Sequence, residues 1–355
     1  MFVTRNSGSW LLTIEPDAAA VPLESWVRAN RRKIRRQLLL SKAILFRGFH
    51  KEGGFAGISE AFFDRRMSYK YRSTPRTDLG QGLYTATEYH NSLSIPQHCE
   101  NAYQRDWPMQ LLFHCIAPAR AGGRTPLADT AKVSAMIPAE IKDEFAQKKI
   151  MYTRNYRRGV DLPWQEVFGT HDKAEVERFC VAGDLTWEWT DYGLRTTQVC
   201  EASARHPLTG ERLWFNQAHL FHLSALDPAS QQMMLATFGE AALPRNAYFG
   251  DGSPIAADLL EPVRSAFELN KRFFDWQEGD VLLVDNMQVA HGREPFEGPR
   301  RVLVCMAEPH SEWAAGRPRH SRRGVLGDPA MGVPRRGVTL RESEPGVSAF
   351  GTGKV

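Results

Sequence analysis

Cysteine is scarce in this 355-residue chain, and what there is does not pair. Cys99, Cys115, Cys180, Cys200 and Cys305 are odd in number, widely spread and contain no C-x-x-C. This argues against a disulfide framework or a zinc–thiolate site and predicts reduced thiols in a cytoplasmic protein. No apolar run is long enough to cross a bilayer. The opening residues, Met1-Phe2-Val3-Thr4-Arg5-Asn6, lack the basic-then-apolar layout of a secretion signal. Neither sign of charge dominates. A formal net charge of +4 sets no strong expectation of nucleic-acid or membrane binding. No repeat or low-complexity tract appears in the body of the chain. What is present, 42% hydrophobic and 24% charged residues, suits one large domain or two small ones.

Periodicity gives a coarse layout. Glu24 to Leu40 carries Trp26, Val27, Ile34 and Leu38 at helical spacing among many basic residues, which predicts an amphipathic helix. Ala43–Phe49 reads as a buried strand and Phe55–Met67 as a second helix. Met109–Ala117 is a strand placed centrally, with His114 as a core residue. Ala121-Gly122-Gly123-Arg124-Thr125-Pro126 is a tight loop whose glycines suit positive φ. Further helices are expected at 138–149 and 227–238, as two short helices within 164–181, and at 255–274, the last burying Leu259, Val263, Phe267 and Leu269. Strands are expected at 151–156, 187–189, 195–199, 279–286 and 300–306. His219 and His222 read as structural histidines. The Gly-, Pro- and Arg-rich stretch 311–355 is expected to be a loosely ordered tail or lid.

The chemistry concentrates in Ile95-Pro96-Gln97-His98-Cys99-Glu100-Asn101. On extended backbone, residues i and i+2 point to one face, so a single strand can aim His98 and Glu100 together and turn Cys99 away. His291 follows a second buried strand and precedes a hairpin bearing Arg300 and Arg301. Two imidazoles and one carboxylate on one face, with the other positions open, is the ligand set of non-haem Fe(II) oxygenases.

With these residues in view, the sequence resembles the taurine dioxygenase (TauD/TfdA) family of Fe(II)/2-oxoglutarate-dependent oxygenases. The nearest branch contains the syringomycin-pathway hydroxylase and similar antibiotic and peptide biosynthesis enzymes. The motifs that carry the resemblance are STPRTDLGQGLYTATEYHNSLSIPQHCE, WPMQLLFHCIAPARAGGRTPLAD, RHPLTGERLWFNQAHLFH and GDVLLVDNMQVAHGREPFEGPRRVLVCMAEP, which lie between Ala43 and Pro309. The resemblance implies a mainly β fold with flanking helices, a double-stranded β-helix (jelly roll, cupin-like). It implies one dioxygenase domain over 1–310, with helical insertions between Glu100 and His291. His98, Glu100 and His291 match the iron ligands. Arg301 matches the arginine that grips the distal carboxylate of 2-oxoglutarate, and Thr125 the hydroxyl that supports it. Arg300, its neighbour on a strand, is expected to point the other way.

Three features depart from the taurine pattern. The carboxylate is Glu rather than Asp, which is usual in the favoured branch. Cys305 stands where a taurine-type enzyme has its sulfonate-binding arginine, and Gln97 precedes His98 in place of an aromatic residue. Implied cofactors are Fe(II), 2-oxoglutarate and O2. The implied substrate is a small amino-acid-like molecule, free or on a peptidyl carrier protein, hydroxylated at an unactivated C–H bond. Asn216, Gln217 and Arg293 are candidates to meet it; the alternative is that the amides satisfy buried backbone and Arg293 makes a salt bridge. Desaturation, epoxidation or cyclisation at the same iron site is the competing chemistry. A non-catalytic jelly-roll binding protein and a zinc hydrolase are readings from other classes.

Overall fold

The computed structural model describes residues 11–17, 21–157 and 160–311, all within one compact unit. In chain order the strands are Leu12–Ile14 (β1), Ala43–Phe46 (β2), Leu83–Thr85 (β3), Ile95–His98 (β4), Asp106–Ala117 (β5), Ala121–Gly122 (β6), Leu127–Asp129 (β7), Ile150–Tyr156 (β8) and Thr186–Thr190 (β9). They continue with Gly193–Cys200 (β10), Ser203–Arg205 (β11), Arg212–Trp214 (β12), Arg245–Phe249 (β13), Val281–Asp285 (β14), Val289–Arg293 (β15), Phe296–Glu297 (β16) and Arg301–Ser311 (β17).

The main sheet runs β1-β2-β14-β5-β17-β3. Its central strands are almost continuously apolar because both faces are covered. Leu111, Phe113 and Cys115 of β5, Leu282 and Val284 of β14, and Val302, Val304 and Met306 of β17 form one inner core. Leu127 of β7 and Val289 of β15 join that core, so the three-stranded sheet β4-β15-β7 packs against this face. The alternate residues, Leu112, Val281, Leu283, Leu303 and Cys305, pack on the other side with Val27, Ile34 and Leu38 of the helix Leu23–Ser41 and Ile58 and Phe62 of the helix Gly54–Phe62. Strand parity therefore decides which layer a side chain enters.

Between Glu100 and His291 the chain adds helices and also a second antiparallel sheet, β13-β8-β10-β9. Its core, with Phe145, Tyr152 and Trp214, is continuous with Cys99, Trp107 and Ala290. The site segment thus rests on the insertion. The helix expected over 255–274 is shorter, Ala257–Leu269, and buries Leu260, Val263, Ala266 and Phe267. Leu269 is 66% exposed, not buried. Asn270 ends the helix by donating its side-chain N–H to the Ala266 carbonyl at 2.8 Å. Of the expected tail, Ser311 closes β17, and residues 312–355 lie outside the described residues.

Candidate active site

β4 and β15 are antiparallel neighbours, with His98 opposite His291. Their ring centres lie 4.6 Å apart. His98 Nδ1 sits 2.9 Å from the Pro96 carbonyl. A carbonyl can only accept, so Nδ1 carries the proton and Nε2 offers its lone pair. Glu100 reaches the same point by a different route from the one its spacing suggests. β4 ends at His98, and Glu100 lies in the turn that follows. The side chain of Asn286 fixes that turn: its Oδ1 accepts from Glu100 N–H at 2.7 Å, and its Nδ2 donates to the Glu100 carbonyl at 2.9 Å and the Pro108 carbonyl at 2.8 Å. The ligating atoms of His98, Glu100 and His291 all lie within 4.8 Å of one another. His291 Nε2 and Glu100 Oε2 are 3.9 Å apart, too far for a hydrogen bond but close enough to share an ion.

Burial keeps both imidazoles neutral. It pulls His98 below its ordinary value and His291 down to about 3. Burial, the largest single influence, pushes the Glu100 carboxyl the other way, but Arg76, the two imidazoles and Tyr69 together outweigh it and hold the acid at about 2. Arg76 Nη2 donates to Glu100 Oε2 at 2.7 Å, with both side chains buried. Two neutral nitrogens and one ionised carboxylate, converging from one side, fit a first-row divalent cation.

A cavity lined by both imidazoles, Phe113, Thr125, Arg293, Arg300 and Val302 opens beside this cluster. Arg300 Nε donates to the Gly123 carbonyl at 2.9 Å, and its Nη2 lies 3.5 Å from Thr125 Oγ1. Thr125 Oγ1 also accepts from Trp276 Nε1 at 3.0 Å. This arrangement depends on Gly122, at φ +66, because a Cβ there would stand 2.3 Å from the Pro295 carbonyl oxygen and part β6 from β16. Among the described residues no carboxylate pairs with Arg300. Burial, and then neighbouring Arg293, pull its guanidinium down to about 10. An anion in the cavity would oppose both effects by favouring the charged form.

The sequence model of the family described as "Taurine catabolism dioxygenase TauD, TfdA family" matches residues 11–306. The chain belongs to the TauD/TfdA dioxygenase family. It is 43% identical over 270 residues to the dapdiamide synthesis protein DdaC of Enterobacter agglomerans, covering 75% of this chain and 82% of that protein. It is 30% identical over 321 residues to a clavaminate synthase-like protein of Arabidopsis thaliana, covering 83% and 92%. A solved structure of PvcB from Pseudomonas aeruginosa aligns with a TM-score of 0.48 at 16% identity, covering 83% of this chain and 84% of that one. As a TauD/TfdA member this protein is an Fe(II)/2-oxoglutarate-dependent oxygenase.

The family-derived assignment of Arg301 needs correction. Arg301 is exposed, and it is Arg300 that lines the cavity. Arg300 shares its parity with inward-facing Val302, Val304 and Met306, whereas Arg301 shares that of Leu303 and Cys305 on the helix-covered face. Asn216 and Gln217 are buried but spend their hydrogen bonds on backbone. Asn216 bonds the Ala202 carbonyl and Ala218 N–H, and Gln217 Nε2 donates to the Cys99 carbonyl at 2.6 Å. Gln217 therefore steadies the peptide between two cluster residues rather than facing the cavity. Arg293 lines the cavity, yet its guanidinium donates to the carbonyls of Thr87, Tyr89, His90 and Leu93. His219 stacks on Phe267 at 4.7 Å, and His114 is a buried core residue of the main sheet. Arg76 and Asn286 went unrecognised in the sequence, where each sits in an unremarkable polar stretch.

Proposed function

We propose that His98, Glu100 and His291 hold Fe(II), and that Arg300, supported by Thr125, binds the distal carboxylate of 2-oxoglutarate. The protein then hydroxylates an unactivated C–H bond of an amino-acid-like small molecule in natural-product biosynthesis. The observation that carries this reading is a three-donor cluster whose two imidazoles line one cavity with a half-buried guanidinium, Arg300, that among the described residues has no carboxylate partner. The kinship with a dapdiamide synthesis protein supports a biosynthetic role. The inner core shared by the main sheet and β4-β15-β7 supports a double-stranded β-helix, in which 11–310 act as one dioxygenase domain. Five buried free cysteines accord with a cytoplasmic location.

When bound, Fe(II) with 2-oxoglutarate and O2 supplies an oxidant able to remove hydrogen from carbon. The chain does the rest. Pro96 fixes the His98 tautomer, Asn286 fixes the Glu100 backbone, and Arg76 keeps its carboxylate ionised and confined to one orientation. Arg300 offers a permanent, planar cation to a carboxylate. Phe113, its ring centre 5.2 Å from that of His291, gives the cavity an apolar wall.

The test is a mass-spectrometric screen with Fe(II), 2-oxoglutarate and O2, using amino acids both free and carrier-bound. The expected product gains one oxygen, accompanied by succinate. Loss of two hydrogens would replace hydroxylation by desaturation or ring closure. His98→Ala, Glu100→Ala and His291→Ala should each abolish succinate formation. Undiminished succinate in any of them would remove that residue from the iron site.

A further inference from the structure

Arg76 has capacity that Glu100 does not use. Its Nη2 is taken, but Nε and Nη1 are buried without a hydrogen-bond partner. The side chain is 4% exposed and lines the same cavity as both imidazoles. Buried N–H groups of a cation are rarely left unsatisfied unless a ligand completes them. The segment presenting Arg76 is also held firmly. Tyr103 Oη donates to the Tyr71 carbonyl at 2.8 Å, Arg154 Nη2 to the Arg72 carbonyl at 2.9 Å, Arg245 Nη2 to the Ser73 carbonyl at 3.1 Å, and Arg72 Nη1 to the Arg76 carbonyl at 2.9 Å. The guanidinium itself lies 4.8 Å from the centre of the Tyr69 ring.

Charge points the same way. Three guanidinium groups, Arg76, Arg293 and Arg300, share the cavity wall with both imidazoles, and among the described residues the carboxylate paired with one of them is Glu100, on Arg76; three minus one leaves two positive charges. A divalent cation adds two, and dianionic 2-oxoglutarate takes two away. The excess remains, and buried charge of one sign is stable only when paired. Cys305 is buried on the helix-covered face and contributes nothing to anion recognition.

We propose that Arg76 is an anion subsite, whose Nε/Nη1 edge receives a carboxylate of the substrate while Nη2 holds Glu100. The inference rests on the reading above, in which Arg300 serves the cosubstrate. The substrate class is therefore a small molecule with a free carboxylate. An amino acid whose α-carboxyl is tied up as a carrier thioester has only a side-chain carboxylate to offer.

The experiment uses the full chain loaded with Mn(II) and 2-oxoglutarate without oxygen, with acetate as the carboxylate probe and acetamide as its neutral analogue. Melting temperature is read for the wild type, Arg76→Gln and Arg76→Lys. Acetate should raise the wild-type midpoint by about 2 °C at a concentration well above its dissociation constant, and acetamide should not. Arg76→Lys supplies one point charge for Glu100 but no second edge. With Mn(II) and 2-oxoglutarate held at saturation, it should lose the acetate response. Arg76→Gln should also lose the response. A response that persists in both variants overturns the proposal. So does a tenfold loss of 2-oxoglutarate affinity in Arg76→Lys, which would assign the free edge to the keto acid. If Arg300 is not the cosubstrate residue, Arg300→Ala leaves 2-oxoglutarate affinity unchanged. The acetate titration with Mn(II) alone still reports on Arg76, so the two failures are separable.

Discussion

Adjacent residues Arg300 and Arg301 have opposite environments, and the difference is one of parity. Arg300 lies in the cavity against Thr125 and Gly123, and Arg301 is exposed at the start of β17. Removing a buried charge-assisted pair costs about 1.5–3 kcal/mol, or roughly ten- to a hundredfold in affinity. Arg300→Ala should weaken 2-oxoglutarate binding to the Mn(II)-loaded protein by that factor, and Arg301→Ala by less than about twofold. A titration giving the reverse order would restore Arg301. The sequence narrowed the choice to this pair but could not make it. β17 is apolar on both faces, so no polar–apolar alternation marks which residues face the cavity. His98, Glu100 and His291 were legible because their side chains themselves suit a metal. Arg76 and Asn286 act through Glu100, 24 and 186 residues away in sequence, and no local pattern announces contacts of that kind.

The β4–β15 pairing sets the distance between the two imidazoles, and Gly292 sets the pairing. A Cβ on Gly292 would lie 2.4 Å from the Ile95 carbonyl oxygen, where the register slips between His291 and Arg293. The obstacle is backbone on β4 rather than a flexible side-chain end, so Gly292→Ala must push β4 away from β15. This overpacking should cost about 1–3 kcal/mol of stability. Because His98 moves with β4, Mn(II) affinity should fall at least about tenfold. Denaturant midpoints and metal titration on the same variant check both effects. Stability lost with metal affinity intact would show that β4 can shift without carrying His98 away. At this scale the sequence served well for existence and type: the helix Leu23–Ser41, the strands β2, β5 and β14, and the two short helices Trp164–Phe168 and Lys173–Ala182 all follow from periodicity. It served less well where side chains decide an end. Asn270 stops its helix before Phe274, and Glu100 leaves the strand that its spacing with His98 suggested.

Taken as a whole, the described fold buries several imidazoles that must stay neutral, which ties its stability to pH. Burial pulls His114 down to about 4, and His219 and His291 down to about 3. Unfolded, each would titrate near 6.5. Between those values the unfolded chain binds protons that the folded one refuses, so stability is complete above about pH 6.5 and declines as pH falls. Each histidine contributes up to about 1.4 kcal/mol per pH unit in that window. Glu100, held at about 2, adds to the loss only below its unfolded value near 4.5. Urea unfolding of the metal-free protein should therefore show midpoints that drop steadily from pH 6.5 to 4.5. His114→Phe should shallow the slope, because it removes one of the three titrations while preserving an aromatic ring beside Phe55. Saturating Mn(II) should steepen the profile, since protons on His98 and His291 then also displace the ion. A midpoint that stays flat across this range would mean that these rings are protonated within the fold, and the neutral donor set on which the metal site depends would be lost with it.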